Sequence, residues 1–296
     1  MKFMKKIIIS CLLFTIQFSL IAQTNNNYPA EINQWFTNRN EDLKKENGWL
    51  NLVGLYWLEQ GKNTFGNSSA NTIVFPSDFG VAKAGYFELQ GNAVRLFTNN
   101  NVPITVNGKL ANNTIIFSAD DNIAVKVQYK SFHWTIIKRE DKIGIRLRNN
   151  NSSLVKKFNT IDRFAIDTNW KLPAILQAPL FPSNIPIKNV LGQTIQMKLL
   201  GKLIFTVNRQ VVSLDAVEDG DDLFVIFGDA TNNRTTYGAG RFLIAAKPDV
   251  NGKTWIDFNK AYNPPCAFTH FATCPLPPSQ NILPFEVTAG EKIFKH

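Results

Sequence analysis

Hydrophobic positions follow a helical period near the start of the chain. After Pro29, large apolar side chains recur near helical spacing, and Gly48 stands where such a pattern would stop. These positions are Ile32, Trp35, Phe36 and Leu43. Because residues spaced in this way share one face of an α-helix, the pattern predicts a single helix that begins near Pro29 and ends before Gly48.

From Trp49 onward the pattern changes to short runs of β-branched and aromatic residues. Runs such as NTIVF, IAVKVQYK and KIGIRLR are separated by Gly, Asn, Asp and Pro at intervals of about 8–12 residues, as in antiparallel sandwiches and barrels. We therefore predict a mainly β fold of antiparallel, sandwich-like or barrel-like sheets with one N-terminal helix. The strongest signals for tight hairpin turns, which need residues that tolerate positive φ, are Asn107-Gly108, Asp219-Gly220 and Asn251-Gly252.

A stretch with neither period separates two groups of predicted strands. Between Phe158 and Lys188 the alternation fades, and prolines at 173, 179, 182 and 186 interrupt the chain, as in a connector. We therefore predict two domains. Residues 24–160 would form an N-terminal helix plus a β-sandwich, and residues 161–296 a C-terminal β domain that carries the Cys/Pro motif.

The first 23 residues have the composition of a secretory signal peptide. Three lysines precede an apolar run that ends at Ala22-Gln23, and this run is shorter than a membrane-spanning helix needs. We expect residues 1–23 to be removed on export, which predicts a periplasmic or secreted protein. The rest of the sequence has no continuous apolar window of about 18 residues, so we expect no membrane span in the mature chain.

The charge distribution argues against nucleic acid as a partner. The chain has 32 basic and 23 acidic residues, a formal net charge of +9. Its basic pairs, such as Lys44-Lys45 and Lys156-Lys157, are scattered and do not form a stripe interleaved with stacking aromatic residues. We therefore expect no nucleic-acid partner, whereas a small-molecule ligand is compatible with the sequence.

Two cysteines stand eight positions apart in the segment YNPPCAFTHFATCPLPP, with His270 midway between them. Removal of the signal peptide takes Cys11 away, so Cys266 and Cys274 would remain as a pair in an oxidising compartment, which favours a disulfide. Three alternatives stay open: a zinc site that also uses His270, a thiol nucleophile with His270 as its base, and two free buried thiols. The spacing matches no common zinc motif, and we predict no metal.

Polar side chains are dense among the apolar runs of the C-terminal half. Such groups either form an internal hydrogen-bond network or line a ligand pocket. In the pocket interpretation, the 229–241 loop and the 257–278 segment enclose a small molecule. The candidate catalytic residues are Arg241 as an anchor for an anionic or carbonyl group, Tyr237 and Asp257 as proton carriers, Cys266 and His270. The candidate ligand-binding residues are Asp229, Thr231, Asn259, Tyr262 and Asn263.

Such a pocket is compatible with two classes of function. One is a hydrolase-type enzyme, and the other is a non-catalytic ligand-binding or scaffold protein of the envelope, in which the same residues only hold loops together. The chain has no G-x-S-x-G nucleophile elbow, and its G-A-G-R segment lacks the third glycine of a dinucleotide loop. The sequence therefore names no cofactor and does not choose between the two classes.

Hairpin register adds a geometric prediction for the pocket. If Asn251-Gly252 is a two-residue turn, counting outward along both strands places Arg241 opposite Tyr262. Asp257 then lies on the other face of the hairpin. We therefore expect Arg241 to meet the root of the cysteine segment and not to pair with Asp257.

Three long motifs carry a resemblance to a known family. They are GWLNLVGLYWL (48–58), FGDATNNRTTYGAGRFL (227–243) and DFNKAYNPPCAFTHFATCPLPP (257–278) with its trailing AGEK (289–292). Together they span nearly the whole chain after residue 23, and they resemble a bacterial domain-of-unknown-function family, number 1684. The resemblance implies an envelope or cytoplasmic β-rich protein whose activity has not been assigned, and it supplies no mechanism.

Overall fold

The computed structural model describes residues 27–119 and 125–295. The predicted signal peptide, residues 1–23, lies outside the described residues. Within the two described ranges, no helix is both long and apolar enough to cross a membrane. The chain is mainly β, with antiparallel sheets and one long N-terminal helix, as the sequence predicts.

The N-terminal helix, α1, spans Tyr28–Lys44 and has a proline in its first turn. Its buried face carries Tyr28, Ile32, Phe36 and Leu43, so the predicted helix and its apolar face are confirmed. Gly48 lies against the backbone carbonyls of the last turn, where a Cβ would collide with the main chain. A second, short helix, α2, spans Ser153–Lys157 and begins at Ser152, whose side chain accepts a hydrogen bond from the Val155 N–H.

The described strands form three sheets. In chain order they are β1 (Leu52–Trp57), β2 (Gly61–Gly66), β3 (Ile73–Val74), β4 (Gly85–Gln90), β5 (Ala93–Thr98), β6 (Thr105–Val106), β7 (Lys109–Leu110), β8 (Asn113–Ser118), β9 (Val127–Tyr129), β10 (Phe132–Arg139), β11 (Lys142–Asn149), β12 (Lys171–Gln177), β13 (Ser183–Lys188), β14 (Thr194–Val207), β15 (Gln210–Asp219), β16 (Asp222–Phe227), β17 (Arg241–Ala245) and β18 (Lys253–Asp257). The first sheet has the order β1-β11-β10-β9-β6-β7, and the second has the order β3-β2-β4-β5-β8. The third has the order β17-β16-β15-β14-β12-β18, with β13 paired to β14.

The first and second sheets share an aromatic core. Trp134 of β10 lies 6.1 Å from Phe65 of β2 between ring centroids, and Phe65 stacks on Phe87 of β4 at 4.4 Å. All three side chains are fully buried. On β11, alternation sends Ile145 and Leu147 into this same core and leaves the side chains between them on the outer face of the sheet.

The third sheet curls until its two edge strands approach each other. β17 pairs with β16 at one end and β18 pairs with β12 at the other, while Phe242 and Tyr262 exchange two backbone hydrogen bonds of 2.8 and 2.9 Å. A second core, which includes Phe205, Phe227 and Phe258, fills the interior. The curl brings the segment after β18 against β17, so this part of the C-terminal half is a partly closed barrel.

The predicted turns agree with the structure to different degrees. Asn107-Gly108 joins β6 to β7 with φ of 48° and 81°, which confirms that turn. The second turn is Gly220-Asp221, one residue later than predicted, because Asp219 still pairs with Asp222 across the ladder. Asn208-Arg209 forms a further turn between β14 and β15, with φ of 49° and 65°, although it contains no glycine.

The predicted register around Asn251-Gly252 is wrong by one residue. The Asp249 carboxylate accepts hydrogen bonds from the Asn251 and Lys253 N–H groups at 2.8 and 2.9 Å, which widens the turn. Asp249 pairs with Lys253 across this turn, which alone would set Phe242 opposite Lys260. The 3₁₀ turn at Phe258–Lys260 then interrupts the strand, and Phe242, not Arg241, lies opposite Tyr262. A one-residue slip exchanges the faces of a strand, and Arg241 therefore points into the protein.

Candidate functional site

The predicted anchor, Arg241, is enclosed in a buried ion pair. Its Nη2 donates to Asp229 at 2.8 Å, and both side chains are almost fully buried. The guanidinium also donates to the backbone carbonyls of Val287 and Ala289, and Asp229 accepts from the Thr231 hydroxyl at 2.6 Å. This arrangement holds the 287–291 segment against β17. Its partner is Asp229, which the sequence did not predict; the expected absence of an Arg241–Asp257 pair rested on a register that is wrong by one residue.

A second buried group centres on Glu291. Its carboxylate accepts from the Asn263 N–H at 2.6 Å and from Arg39 Nε of α1 at 3.1 Å, and burial raises the pKa of this carboxyl. Arg39 in turn lies 4.8 Å above the centre of the Tyr262 ring. Burial also raises the pKa of Tyr262 to about 12. These contacts join α1 to the root of the cysteine segment.

Asp257 and Asn259 belong to a third group, which fastens the start of α1. The Tyr28 hydroxyl donates to Asp257 at 2.8 Å, and the Asn259 side-chain amide donates to the Tyr28 oxygen at 2.9 Å and to the Asp167 carbonyl at 2.8 Å. Burial and the neighbouring Asp257 carboxylate raise the pKa of Tyr28 far above its usual range. The predicted proton carrier Asp257 and the predicted ligand contact Asn259 are thus both bonded to other parts of the chain.

The predicted pocket between the 229–241 loop and the 257–278 segment is thus filled largely by the protein's own hydrogen bonds. Arg241 and Asn263 have no exposed surface, while Asp229, Thr231 and Asn259 are 2–5% exposed. This geometry favours the internal network over a ligand pocket at these residues. The catalytic and ligand-binding roles assigned to them stay predictions.

The two cysteines face each other as thiols. The Cys266 N–H donates to the sulfur of Cys274 at 3.1 Å, and the Cys274 N–H donates to the sulfur of Cys266 at 3.3 Å. His270, midway between them, is exposed. In the described part of the chain, no group of three or more His, Cys, Asp and Glu side chains is placed to hold a metal ion, so the zinc alternative gains no support.

Tyr237, the other predicted proton carrier, is half-buried near the cysteine pair. Burial raises the pKa of its hydroxyl, and negative charge on Cys266 or Cys274 would raise it further. Its ring packs against the cluster that contains Leu43 and Phe268. Tyr237 therefore lies close enough to the two sulfurs for its hydroxyl to interact with their charge.

A cleft of about 350 Å³ opens on the outer face of the first sheet. We call it the arginine cleft, and its lining residues are Glu46, Asn47, Val125, Lys126, His133, Thr135 and Arg148. His133 and Thr135 come from β10, and Arg148 lies directly opposite His133 on β11. The residues before β1 form the opposite wall, so the cleft lies between the sheet and the segment that follows α1.

Arg148 lines this cleft, and Arg146, which is not a lining residue, lies two positions before it on the same face of β11. Arg146 and Arg148 are separated by one residue on β11, and their guanidinium carbons lie 5.5 and 5.9 Å from the centre of the Trp49 ring. Arg148 is only 7% exposed and donates to the Asn47 carbonyl at 3.4 Å. Among the described residues, neither arginine has a carboxylate within ion-pair distance, and both Nε atoms are buried without an acceptor.

The electrostatics of the arginine pair are unfavourable in the absence of an anion. Burial and the charge of Arg148 lower the pKa of Arg146 to about 10, and burial lowers the pKa of Arg148. Both groups stay cationic at neutral pH. Two desolvated cations at neighbouring positions on one strand face are unfavourable, and a bound anion would offset this free-energy cost.

His133 adds a titratable group to the cleft wall. Its Nε2 lies 2.9 Å from the Glu46 carbonyl, and its buried Nδ1 has no hydrogen-bond partner within the described ranges. Burial lowers the pKa of the imidazole, against the opposing effect of the Glu46 carboxylate. Glu46 itself bonds Lys126 at 2.6 Å, which holds the pKa of that carboxyl below its usual range.

The arginine cleft is not among the sites predicted from the sequence. The run KIGIRLR alternates apolar and basic residues, so it predicts that Arg146 and Arg148 share one face of a strand. An alternating strand with arginine on its outer face is normally solvated there. The outer face is instead covered by Trp49, a contact between distant parts of the chain that strand periodicity does not reveal.

The chain is thus a β protein in which a buried network holds the C-terminal segment and a cationic cleft lies on the first sheet. Comparison with known families shows that residues 156–292 match the family described as "Protein of unknown function (DUF1684)". The predicted family resemblance is confirmed over these residues, which contain the motifs at 227–243 and 257–278. The motif at 48–58 lies outside the match.

Solved structures include chains that are similar to part of this protein. One is the solution NMR structure of an uncharacterized protein from Haloarcula marismortui, with 26% sequence identity and a TM-score of 0.40. The similarity covers 47% of this chain and 79% of that protein. A search of the curated proteins found no match.

Proposed function

We propose that the protein is a non-catalytic binding protein whose arginine cleft binds a small molecule through a carboxylate or another oxyanion. The observation that carries the proposal is Arg148, a desolvated guanidinium on the cleft wall with no carboxylate partner among the described residues. Arg146, its neighbour on the same face of β11, adds a second desolvated cation. Arginine presents a planar set of donors that matches an oxyanion in two parallel hydrogen bonds. A bound oxyanion would supply the missing acceptor and the missing negative charge.

Binding is favoured over catalysis by the chemistry of the cleft wall. Arg148 supplies positive charge, whereas the charge of Lys126 is matched by Glu46. Asn47 and Thr135 offer hydrogen-bonding side chains, and His133 is largely neutral at pH 7 because burial lowers its pKa. A volume of 350 Å³ admits a molecule of the size of a small dicarboxylate. The hydrolase-type alternative rests on Tyr237, Asp257 and Cys266, which lie outside the residues that line this cleft.

The proposal is tested by titrating the protein with succinate and with sulfate under calorimetry, at constant ionic strength set with chloride. We expect one saturable site for each oxyanion and no response to chloride beyond its ionic-strength effect. We also expect succinate and sulfate to raise the melting temperature of the protein, because a ligand that binds only the folded state stabilises that state. Equal responses to succinate, sulfate and chloride would mean screening of surface charge and would overturn the proposal.

The affinity for sulfate should depend on pH through His133. In the free protein the imidazole is neutral near pH 7 because its pKa is lowered, whereas a bound dianion next to it would raise that pKa. Binding then takes up a proton, so affinity should rise about threefold to tenfold as pH falls from 7.5 to 5.5. Sulfate keeps its charge over this range, and Glu46 stays ionised because its pKa is lowered.

The measurement is calorimetry of wild type and His133→Gln across that pH range. Lys126 and Arg148 are the other charged groups that face the imidazole, besides Glu46. A flat profile for the wild type, or the same slope in His133→Gln, would show that this imidazole does not contact the ligand.

The proposed location of this function is outside the cytoplasm. It is supported by the sequence of residues 1–23, whose lysines and apolar run resemble a secretory signal peptide. We therefore place the protein in the periplasm or among secreted proteins. N-terminal sequencing of the protein from fractionated cells should find a chain that begins near Thr24 outside the cytoplasm, and a cytoplasmic chain that retains Met1 would contradict this location.

A further inference from the structure

The segment that carries the two cysteines is fastened to the protein on both sides of the pair. Before Cys266, the Asn263 N–H donates to the buried Glu291 carboxylate at 2.6 Å. At the other end, the Val190 N–H donates to the Cys274 carbonyl at 3.0 Å. The backbone that carries both sulfurs is therefore held in place by contacts that do not involve the sulfurs themselves.

We propose that Cys266 and Cys274 form a thiol–disulfide exchange centre, in which Cys266 attacks a low-molecular-weight disulfide and Cys274 completes the exchange. This is a second activity, and it does not depend on the proposed binding function of the arginine cleft. It also differs from a structural disulfide, because both the dithiol and the disulfide are working states of the pair.

The contacts of the two sulfurs stabilise the reduced state. The Cys266 N–H lies 3.1 Å from the sulfur of Cys274, and the Cys274 N–H lies 3.3 Å from the sulfur of Cys266. Such a donor interacts more strongly with a sulfur that carries negative charge than with the neutral sulfur of a disulfide. A disulfide whose reduced form is stabilised is the stronger oxidant and exchanges more readily than a structural disulfide. The geometry therefore favours exchange over a permanent bond.

The surroundings of the two thiols assign their roles. Cys266 is half-buried, whereas Cys274 is only 5% exposed, so an external disulfide has better access to Cys266. A hydrogen bond from the Cys274 thiol lowers the pKa of Cys266, and the same contact raises the pKa of Cys274. In the described part of the chain no hydrogen bond joins His270 to either sulfur, so Cys266 is activated by Cys274 and not by the imidazole.

The exchange proceeds in two steps. The Cys266 thiolate attacks one sulfur of the small disulfide, whose S–S bond breaks, and a mixed disulfide and one free thiolate result. Cys274 gives its proton to that thiolate, and its sulfur then attacks the sulfur of Cys266 and releases the second small thiolate. The protein loses two electrons and gains one disulfide bond, while the small disulfide gains two electrons and becomes one thiol and one thiolate. The reverse sequence with two small thiols restores the dithiol.

The roles of the two thiols are tested by reaction of the reduced protein with oxidised glutathione, followed by peptide mapping. In Cys274→Ser we expect glutathione to remain bound to Cys266, because the thiol that would displace it is gone. In the matched variant Cys266→Ser we expect the adduct on Cys274 to form at least about tenfold more slowly, because that sulfur is buried and protonated. Equal rates of adduct formation in the two variants would overturn the assignment of roles.

The wild-type protein gives two readouts that need no variant. Brief alkylation of the reduced protein with iodoacetamide should label Cys266 at least about tenfold faster than Cys274, and equal labelling would contradict the assigned roles. Mixtures of reduced and oxidised glutathione should convert the pair reversibly between dithiol and disulfide as their ratio changes. A pair that stays oxidised in excess reduced glutathione would be a structural disulfide, and a pair that stays reduced in excess oxidised glutathione would have no exchange activity. Either result would overturn the exchange centre.

Discussion

Replacing Asp229 with alanine is expected to lower the free energy of unfolding by about 3–5 kcal/mol, because it leaves the buried Arg241 cation without its partner. The loss also frees the Thr231 hydroxyl and the Val287 N–H, both of which donate to this carboxylate. Urea unfolding followed by tryptophan fluorescence measures the change. Asp229→Asn, which keeps the hydrogen-bonding shape but not the charge, should lie between wild type and Asp229→Ala.

The matched control is a surface pair. Glu286 accepts from Arg234 at 2.6 Å, and both side chains are well exposed, so Glu286→Ala should cost less than about 1 kcal/mol. If Asp229→Ala is no more destabilising than this control, the Arg241 network does not hold the C-terminal segment. A folded Asp229→Asn variant that binds sulfate normally would show that the Arg241–Asp229 network and the arginine cleft act independently.

Replacing Arg148 with methionine is expected to weaken sulfate binding by about tenfold to a hundredfold, as the loss of charge-assisted hydrogen bonds implies. The same change should raise the stability of the ligand-free protein by about 1–2 kcal/mol, because it removes a desolvated cation and keeps an unbranched apolar stem. Opposite effects on binding and stability are the mark of a group retained for function. A structural arginine would lower both when removed.

Arg234→Met provides the control for charge and chemistry. Its side chain is 70% exposed and its loss changes the net charge by the same amount. Calorimetry and urea unfolding of the two variants side by side separate a local effect from a general one. Equal weakening of sulfate binding in both would assign the effect to net charge and would remove Arg148 from the site.

Local pattern predicts the framework of this fold because the framework depends on neighbours in sequence. The helix follows from the spacing of Ile32, Phe36 and Leu43, and the β6–β7 hairpin from two residues that accept positive φ. The register beyond β17 is missed for a local reason as well. The Asp249 carboxylate caps two N–H groups and widens the turn, and a 3₁₀ turn at Phe258–Lys260 interrupts the strand before Tyr262. The Asn-Gly dipeptide indicates neither feature.

The site is less predictable because it depends on contacts between distant segments. Polar density in the C-terminal half identifies residues that are bonded to one another, and the sequence does not show that Arg241 and Asp229 close around each other. Arg146 and Arg148 look like surface residues until Trp49 covers them. To predict this site, one would need to know that the segment after α1 packs across the outer face of the first sheet.

The most direct test of the account is the position of a bound oxyanion. Selenate resembles sulfate in shape and charge and gives an anomalous X-ray signal, so a crystal grown with selenate locates the ion without reference to a variant. We predict an anomalous peak in the arginine cleft within hydrogen-bond distance of the Arg148 guanidinium. Peaks confined to exposed lysines, with none beside Arg148, would contradict the proposal that this cleft is a binding site.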